Sequence, residues 1–416
     1  VTEHLDLAQH VRPGDTVVWG QACAEPRALT RLLVGQADTI GALRCFVGIP
    51  ADSNLTAQTV GALDVVSYCG AGTNARLHAD GRLRILPVNY STLPALLCGG
   101  ALRADVVLVQ VSPADADGFH RLGVADDYFA DAIDTARVVL AEINPNVPVT
   151  NGSRRLARES FAAVVHSDAP LGEMPTPAFD DRSRAVAHNV AGLVEDGATL
   201  QFGIGAIPEA VLAALGDHRD LGIHSGLIND TAMGLIERGV VNGSRKSRDQ
   251  GLAVTGLLVG TARLFGWADR NPAVRLTGTR YTHDADVLAS SYRLTAIDSA
   301  IEVDLTGHVN AEAVGGRYVG AVGGAGDFLR GAARSPGGVP IVALPSVARD
   351  SSRIVARLGG PVSTPRSEQL VVVTEQGVAD LRGLTLPERV EAMIAIAHPD
   401  HRRALDDAAE SALDSV

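Results

Sequence analysis

The sequence predicts an α/β protein made of two tandem open parallel-sheet domains of related topology. Three observations carry this. Short Val/Ile/Leu-rich runs recur, each followed by a Gly-containing turn and an Ala/Leu-rich stretch, the pattern of βα units. Aromatic residues are only 4% while Gly numbers 44 in 416 residues, which suits buried parallel strands covered by Ala-rich helices. Two segments also echo across the halves at similar offsets: Val17-Val-Trp-Gly-Gln-Ala-Cys-Ala-Glu-Pro26 with Leu200-Gln-Phe-Gly-Ile-Gly-Ala-Ile-Pro208, and Gly118-Phe-His120 with Gly307-His-Val309.

Taken in chain order, strands are expected at Thr16–Trp19, 105–111, 138–142, Thr199–Phe202, 252–258, 341–344 and 370–374. Helices are expected at 25–33, 184–195 and 208–215. Residues 172–181 combine Pro and acid without periodicity and read as the linker. The expected domains are therefore 1–178 and 179–416.

A chain of 416 residues exceeds one ordinary core, and 46% hydrophobic against 20% charged residues excludes disorder. A net charge of −12 argues against nucleic acid as a partner. No uncharged apolar run is long enough for a membrane span. Cys23, Cys45, Cys69 and Cys98 form no CxxC pair, so neither a metal site nor a disulfide framework is expected. Val1-Thr-Glu-His4 shows no signal-peptide pattern. The expected location is cytoplasmic.

Walker A, HExxH and GxSxG patterns are absent. Gly203-Ile-Gly205-Ala-Ile-Pro208 has a Pro where a dinucleotide fingerprint needs its third Gly. Such a turn still offers backbone N–H groups to an anion or oxyanion at the start of a helix, and Gly323-Gly-Ala-Gly326-Asp327 is a second one. In His224-Ser225-Gly226 a Ser follows an apparent strand, a weak nucleophile pattern.

Together with Val111-Ser-Pro113, Ala141-Glu-Ile-Asn-Pro145, Leu221-Gly-Ile-His-Ser225, Ala300-Ile-Glu-Val-Asp-Leu-Thr-Gly-His-Val-Asn310, Ala343-Leu-Pro-Ser346, Val373-Thr-Glu-Gln-Gly-Val-Ala-Asp-Leu-Arg-Gly383 and Ala397-His-Pro399, these segments resemble the acetyl-CoA hydrolase/transferase family, 4-hydroxybutyrate and butyrate CoA-transferases above all. The likeness is colinear over nearly the whole chain. It implies a CoA-transferase-like fold, a site in the cleft between domains, a homodimer, and acyl-CoA/CoA as cosubstrate with no tightly bound cofactor or metal. It also implies acyl-CoA contacts from Gly20, Gln21, Gly203, Gly205, Ala206, Gly323, Gly324 and Gly326.

Family members work through a glutamyl-CoA thioester, and their motif reads Leu-Gly-Ile-His-Ser-Glu-Met-Ile. Here it reads Leu221-Gly-Ile-His-Ser-Gly226-Leu-Ile228, and a glycine cannot form an anhydride or thioester. Glu302, Asp304, Glu312 and Glu375 stand where the family also carries acids, so their expected roles are structural or orienting. Two further departures are His120-Arg121, where the family has a small pair, and Val149, where it often has Arg. The resulting expectation is direct acyl transfer from acyl-CoA to a small amine or hydroxyl acceptor. His120 would be the base, placed at a cleft mouth rather than in a core, because imidazole suits proton transfer near neutrality. Arg121 would hold an anionic group and His224 stands in reserve beside Gly226, whose missing side chain would leave room for the acceptor. The alternatives are thioester hydrolysis, a CoA-transferase with a relocated acid, and a non-catalytic acyl-CoA-binding protein.

Overall fold

The computed structural model describes residues 5–51 and 54–409; Val1-Thr-Glu-His4 lies outside them. Two compact units emerge. The first comprises Val1–Pro175, Leu227–Asp230 and Val254–Thr282, the second Thr176–Gly226, Thr231–Ala253 and His283–Val416.

In the first unit seven parallel strands lie in the order Leu83–Ile85, Asp64–Ser67, Arg44–Val47, Thr16–Trp19, Val106–Val111, Val138–Ile143 and Ala163–His166. The centre of this sheet is buried on both faces. Val106, Val107, Leu108, Val109 and Val111 are fully buried, each such side chain contributing about 1.5–3 kcal/mol. The helix after the first strand runs Arg27–Ile40 and buries Leu29, Leu33, Ala37 and Ile40. It starts later and extends further than 25–33, because Pro26 sits just before its first turn.

The second unit has parallel strands in the order Gly222–Ile228, Thr199–Phe202, Leu294–Ser299, Val339–Ala343 and Val371–Thr374. Gly377–Asp380 closes this series antiparallel, through a tight hairpin, so the sheet is mixed rather than purely parallel. The expected helices at 208–215 and 184–195 form at Ala206–Ala214 and Asp181–Ala191. Asp180 caps the latter by accepting from the Ser183 N–H at 2.8 Å.

Two local expectations change. Gly118-Phe-His120 does not end the long strand; Phe119–Arg121 is a separate short strand paired antiparallel with Arg155–Ala157. His224-Ser225-Gly226 does not follow a strand but lies inside one, Gly222–Ile228. Among the described residues, no helix is long and apolar enough to cross a membrane.

Candidate functional site

In the second unit, strand Thr199–Phe202 ends at Gly203 and the chain turns through Gly205 into helix Ala206–Ala214. Gly205 has φ 133°, a conformation open to glycine and strained for other residues. Gly324 stands at the start of helix Ala325–Arg334, preceded by Gly323 at φ 56°. Ala206 opens the first helix and Gly326 lies buried in the first turn of the second. Both turns thus bring backbone N–H groups to a helix start, the geometry that receives negative charge.

Gly226 is half-buried, and the space beside it is filled. A β-carbon there would stand 3.3 Å from His283 Cε1, 3.4 Å from His283 Nε2 and 3.8 Å from the Phe328 ring. The expected room for an acceptor at this point is therefore occupied from within the chain. The same ring also meets Gly324, where a β-carbon would approach Nε2 to 2.9 Å. Both glycines thus adjoin His283, with Phe328 tilted against it at 4.6 Å between ring centres. Burial, with the neighbouring His224 second, pushes its pKa down to about 3, so the ring stays neutral. His224 is 1% exposed. Ser225 is spent on backbone: its Oγ donates to the Phe202 carbonyl at 3.3 Å.

Carboxylates of this unit are engaged elsewhere. Glu302 accepts from Asn310 and from the Gly359 and Gly360 N–H groups. Asp304 holds the Thr306–His308 turn. Glu312 accepts from Tyr318 and Ser363, and Glu375 from the Ser346 N–H and hydroxyl.

Asp298 was not anticipated from the sequence. It lies near the end of strand Leu294–Ser299, and a β-carbon on Gly203 would stand 3.3 Å from its Oδ1. Gln201 donates to that oxygen at 3.4 Å, while Oδ2 finds no partner among the described residues. Burial raises its pKa to about 7. An acid inside the apolar run Leu294-Thr-Ala-Ile-Asp298 was the available signal. His283 had none.

In the first unit, Gly20 and Gln21 are built into the interior rather than offered to a ligand. A β-carbon on Gly20 would meet the Ala24 carbonyl at 3.0 Å and Phe129 at 3.2 Å. Gln21 Nε2 donates to Tyr90 and Asp127, and Oε1 accepts from Tyr68 and the Ile49 N–H. That uses the whole hydrogen-bonding capacity of its amide. Burial raises the pKa of Asp127 in this network to about 7. The N–H groups opening helix Arg27–Ile40 are taken by Glu142, which accepts from Ala28 at 2.8 Å.

His120 is 5% exposed and stacks at 5.4 Å on Phe161, so it is a buried residue and not one at a mouth. The Phe119–Arg121 pairing turns it inward. Its Nδ1 lies 2.8 Å from the Ser112 carbonyl, which can only accept, so Nδ1 carries a proton and the lone pair of the neutral ring is on Nε2. The ring lines a cavity of about 570 Å³ with Pro113, Ala114, Ile143, Pro145, His166, Ser167 and Asp168. Arg121 donates to the Ser153 carbonyl at 3.2 Å and lines a smaller cavity with Val149 and Arg270. The predicted residues therefore fall into two groups: Gly20, Gln21, His120 and Arg121 in the first unit, the remainder in the second. No group of three metal-ligating side chains occurs among the described residues. Burial holds the Cys23 and Cys69 thiols at about 11 and Cys45 at about 12, far from thiolate reactivity.

Residues 1–157 match the acetyl-CoA hydrolase/transferase N-terminal domain, and residues 260–409 the C-terminal domain of the same name. A 4-hydroxybutyrate coenzyme A transferase of Clostridium kluyveri is 40% identical over 78% of this chain and 77% of its own length. A succinyl-CoA:cyclohexane-1-carboxylate CoA transferase of Geobacter metallireducens is 35% identical over 98% of the chain and 94% of its own. Among solved structures, RipA from Yersinia pestis superposes with a TM-score of 0.91 at 33% identity, covering 97% of this chain and 95% of that one.

Proposed function

The chain belongs to the acetyl-CoA hydrolase/transferase family, and from that premise we propose that it transfers an acyl group from acyl-CoA directly to a small amine or hydroxyl acceptor. Acyl-CoA is the donor and CoA the product. No glutamyl-CoA intermediate forms. The supporting observation is at Gly226, which lacks a carboxylate and has a neutral imidazole packed into the space a side chain would need.

In this reading the acceptor's lone pair attacks the thioester carbonyl carbon. The π electrons move to oxygen, which N–H groups of the 203–206 and 323–326 turns stabilise. Collapse breaks the C–S bond and expels CoA thiolate. His120 Nε2 takes the proton the acceptor loses and passes it to the thiolate, while Arg121 holds an anionic group of a substrate. His224 is the next candidate should His120 not serve. Water is the second acceptor to consider, since the family itself spans hydrolases and transferases. A homodimer is the expected assembly.

The test is incubation with short-chain acyl-CoA, first alone and then with amines and alcohols. CoA release should depend on the acceptor, with no mass added to the protein. Release without acceptor makes it a hydrolase, and a covalent gain of CoA means that a carboxylate nucleophile exists after all. Absence of any acyl-CoA binding by calorimetry, in folded protein, would sink the reading altogether.

A further inference from the structure

The cavity beside His120 adjoins a second one within the first unit. That second cavity, about 470 Å³, shares Pro113, Ala114 and Pro145 with it and adds Asp115, Glu173, Val149, Phe265, Asp269 and Arg270. Both volumes fall in the usual range of small-ligand sites. Their common wall is apolar, and around it Asp115, Asp168, Glu173 and Asp269 face Arg270 and His166 besides His120. Asp269 is met by Arg270 at 2.9 Å and Asp115 by Arg155 at 3.5 Å. Glu173 accepts only from the Ala262 N–H, at 3.0 Å, and neither it nor Asp168 has a cationic partner among the described residues.

His120 supplies the independent sign of a ligand. It is 5% exposed, its Nδ1 proton is committed to Ser112, and its Nε2 has no partner among the described residues although the ring lines the cavity. Nε2 is not among the buried side-chain atoms that lack a partner, so it opens into the cavity, where a ligand can reach it. What fits a lone pair flanked by uncompensated carboxylates and an apolar wall is an N–H donor on an alkyl chain. A carboxylate would meet Asp168 and Glu173 with its own charge.

We infer that these paired cavities bind a primary alkylamine, its nitrogen beside His120 and Asp168 and its chain along Pro113, Ala114 and Pro145. The inference rests on the direct-transfer reading for its role, because such an amine would be the acyl acceptor, and narrows that reading from amines and alcohols to amines. The amine enters as an ammonium, drawn by the carboxylates. One proton passes from nitrogen to His120 Nε2, leaving the nitrogen lone pair for the thioester carbon. As the C–N bond forms and the C–S bond breaks, a second proton leaves nitrogen and the thiolate takes one.

Calorimetry on the whole protein tests this without any turnover, using n-butylamine, n-butanol and butyrate as probes. Butylamine should bind saturably and butyrate should not. Glu173→Gln and Asp168→Asn, both at the surface, should each weaken butylamine about tenfold, and added salt should weaken it further. Equal binding of butyrate, or butylamine binding that ignores both substitutions, overturns the inference. So does an absence of butylamine binding while acyl-CoA still binds, an outcome that leaves direct transfer standing with a hydroxyl or water acceptor. Loss of acyl-CoA binding alone would instead strike the broader reading and leave an amine site in place.

Discussion

His283 Nε2 lies 3.4 Å from the point that a β-carbon on Gly226 would occupy. The glycine and the histidine therefore depend on each other. A β-carbon at 226 requires the ring to give by a few tenths of an ångström, so Gly226→Glu alone should form a glutamyl-CoA adduct only slowly with acyl-CoA. Gly226→Glu combined with His283→Ala clears the space and should gain the mass of CoA. Intact-mass spectrometry reads both, and a ready adduct in the single variant would show that the ring gives way.

His120→Ala should lower turnover by roughly 10²–10⁴-fold, a base's usual contribution, with acyl-CoA affinity nearly unchanged. The substitution also takes the donor from the Ser112 carbonyl and the ring from Phe161, so unchanged circular dichroism and acyl-CoA affinity are needed to separate a lost base from a lost fold. Turnover within about threefold of the parent would reduce His120 to a packing residue on Phe161.

Asp298 makes the second unit's stability depend on pH. Burial raises its folded pKa to about 7, above the 3.8 of a free aspartate, so between these values the folded state holds a proton that the unfolded state has lost. The stabilisation is full below about 4 and fades as pH rises through 7. Asp298→Asn keeps the shape and removes the charge. It should raise stability by about 1–3 kcal/mol at pH 8 and change little at pH 4. Thermal melts at the two pH values measure it; equal shifts at both would mean that the carboxyl does not titrate in this range.

Gln21 ties Tyr68, Tyr90, Asp127 and the Ile49 backbone into one buried network. Gln21→Leu takes a hydrogen bond from four groups; Tyr90 and Asp127 keep each other, while the Tyr68 hydroxyl and the Ile49 N–H lose the one they make to Gln21, each at about 1–3 kcal/mol before relaxation. A net loss of about 3 kcal/mol in urea unfolding is expected. A loss under about 0.5 kcal/mol, the size of a surface substitution, would mean that water replaces the amide.

The parallel core was legible because runs such as Val106–Val111 are apolar on both faces and cannot be solvent-facing strands. The glycine turns were legible too, since a strand, Gly and a helix start follow one another along the chain. His283 was not. Thr282 and Asp284 beside it carry no motif, and only tertiary packing brings it to Gly226 and Gly324. His120 was recognised as unusual but misplaced, because the short antiparallel pairing with Arg155–Ala157 that buries it joins segments too brief to show periodicity. Gln21 was expected to contact acyl-CoA on the family resemblance alone; its hydrogen-bond partners lie 28 to 106 residues further on.

The first unit is not continuous along the chain: Leu227–Asp230 and Val254–Thr282 belong to it as much as its first 175 residues do. A ribosome therefore releases most of that unit long before its last piece exists. At about 5–20 residues per second, the hundred or so residues between Pro175 and Thr282 take on the order of 5–20 s to make. During that interval all seven strands of the first sheet are present, but Val124 and Asp126 wait for the Gly256 and Leu258 backbone groups that pair with them, leaving apolar surface that a chaperone would recognise. Rare codons within that stretch would lengthen the exposure, and synonymous changes there should alter the yield of soluble protein without altering a single amino acid.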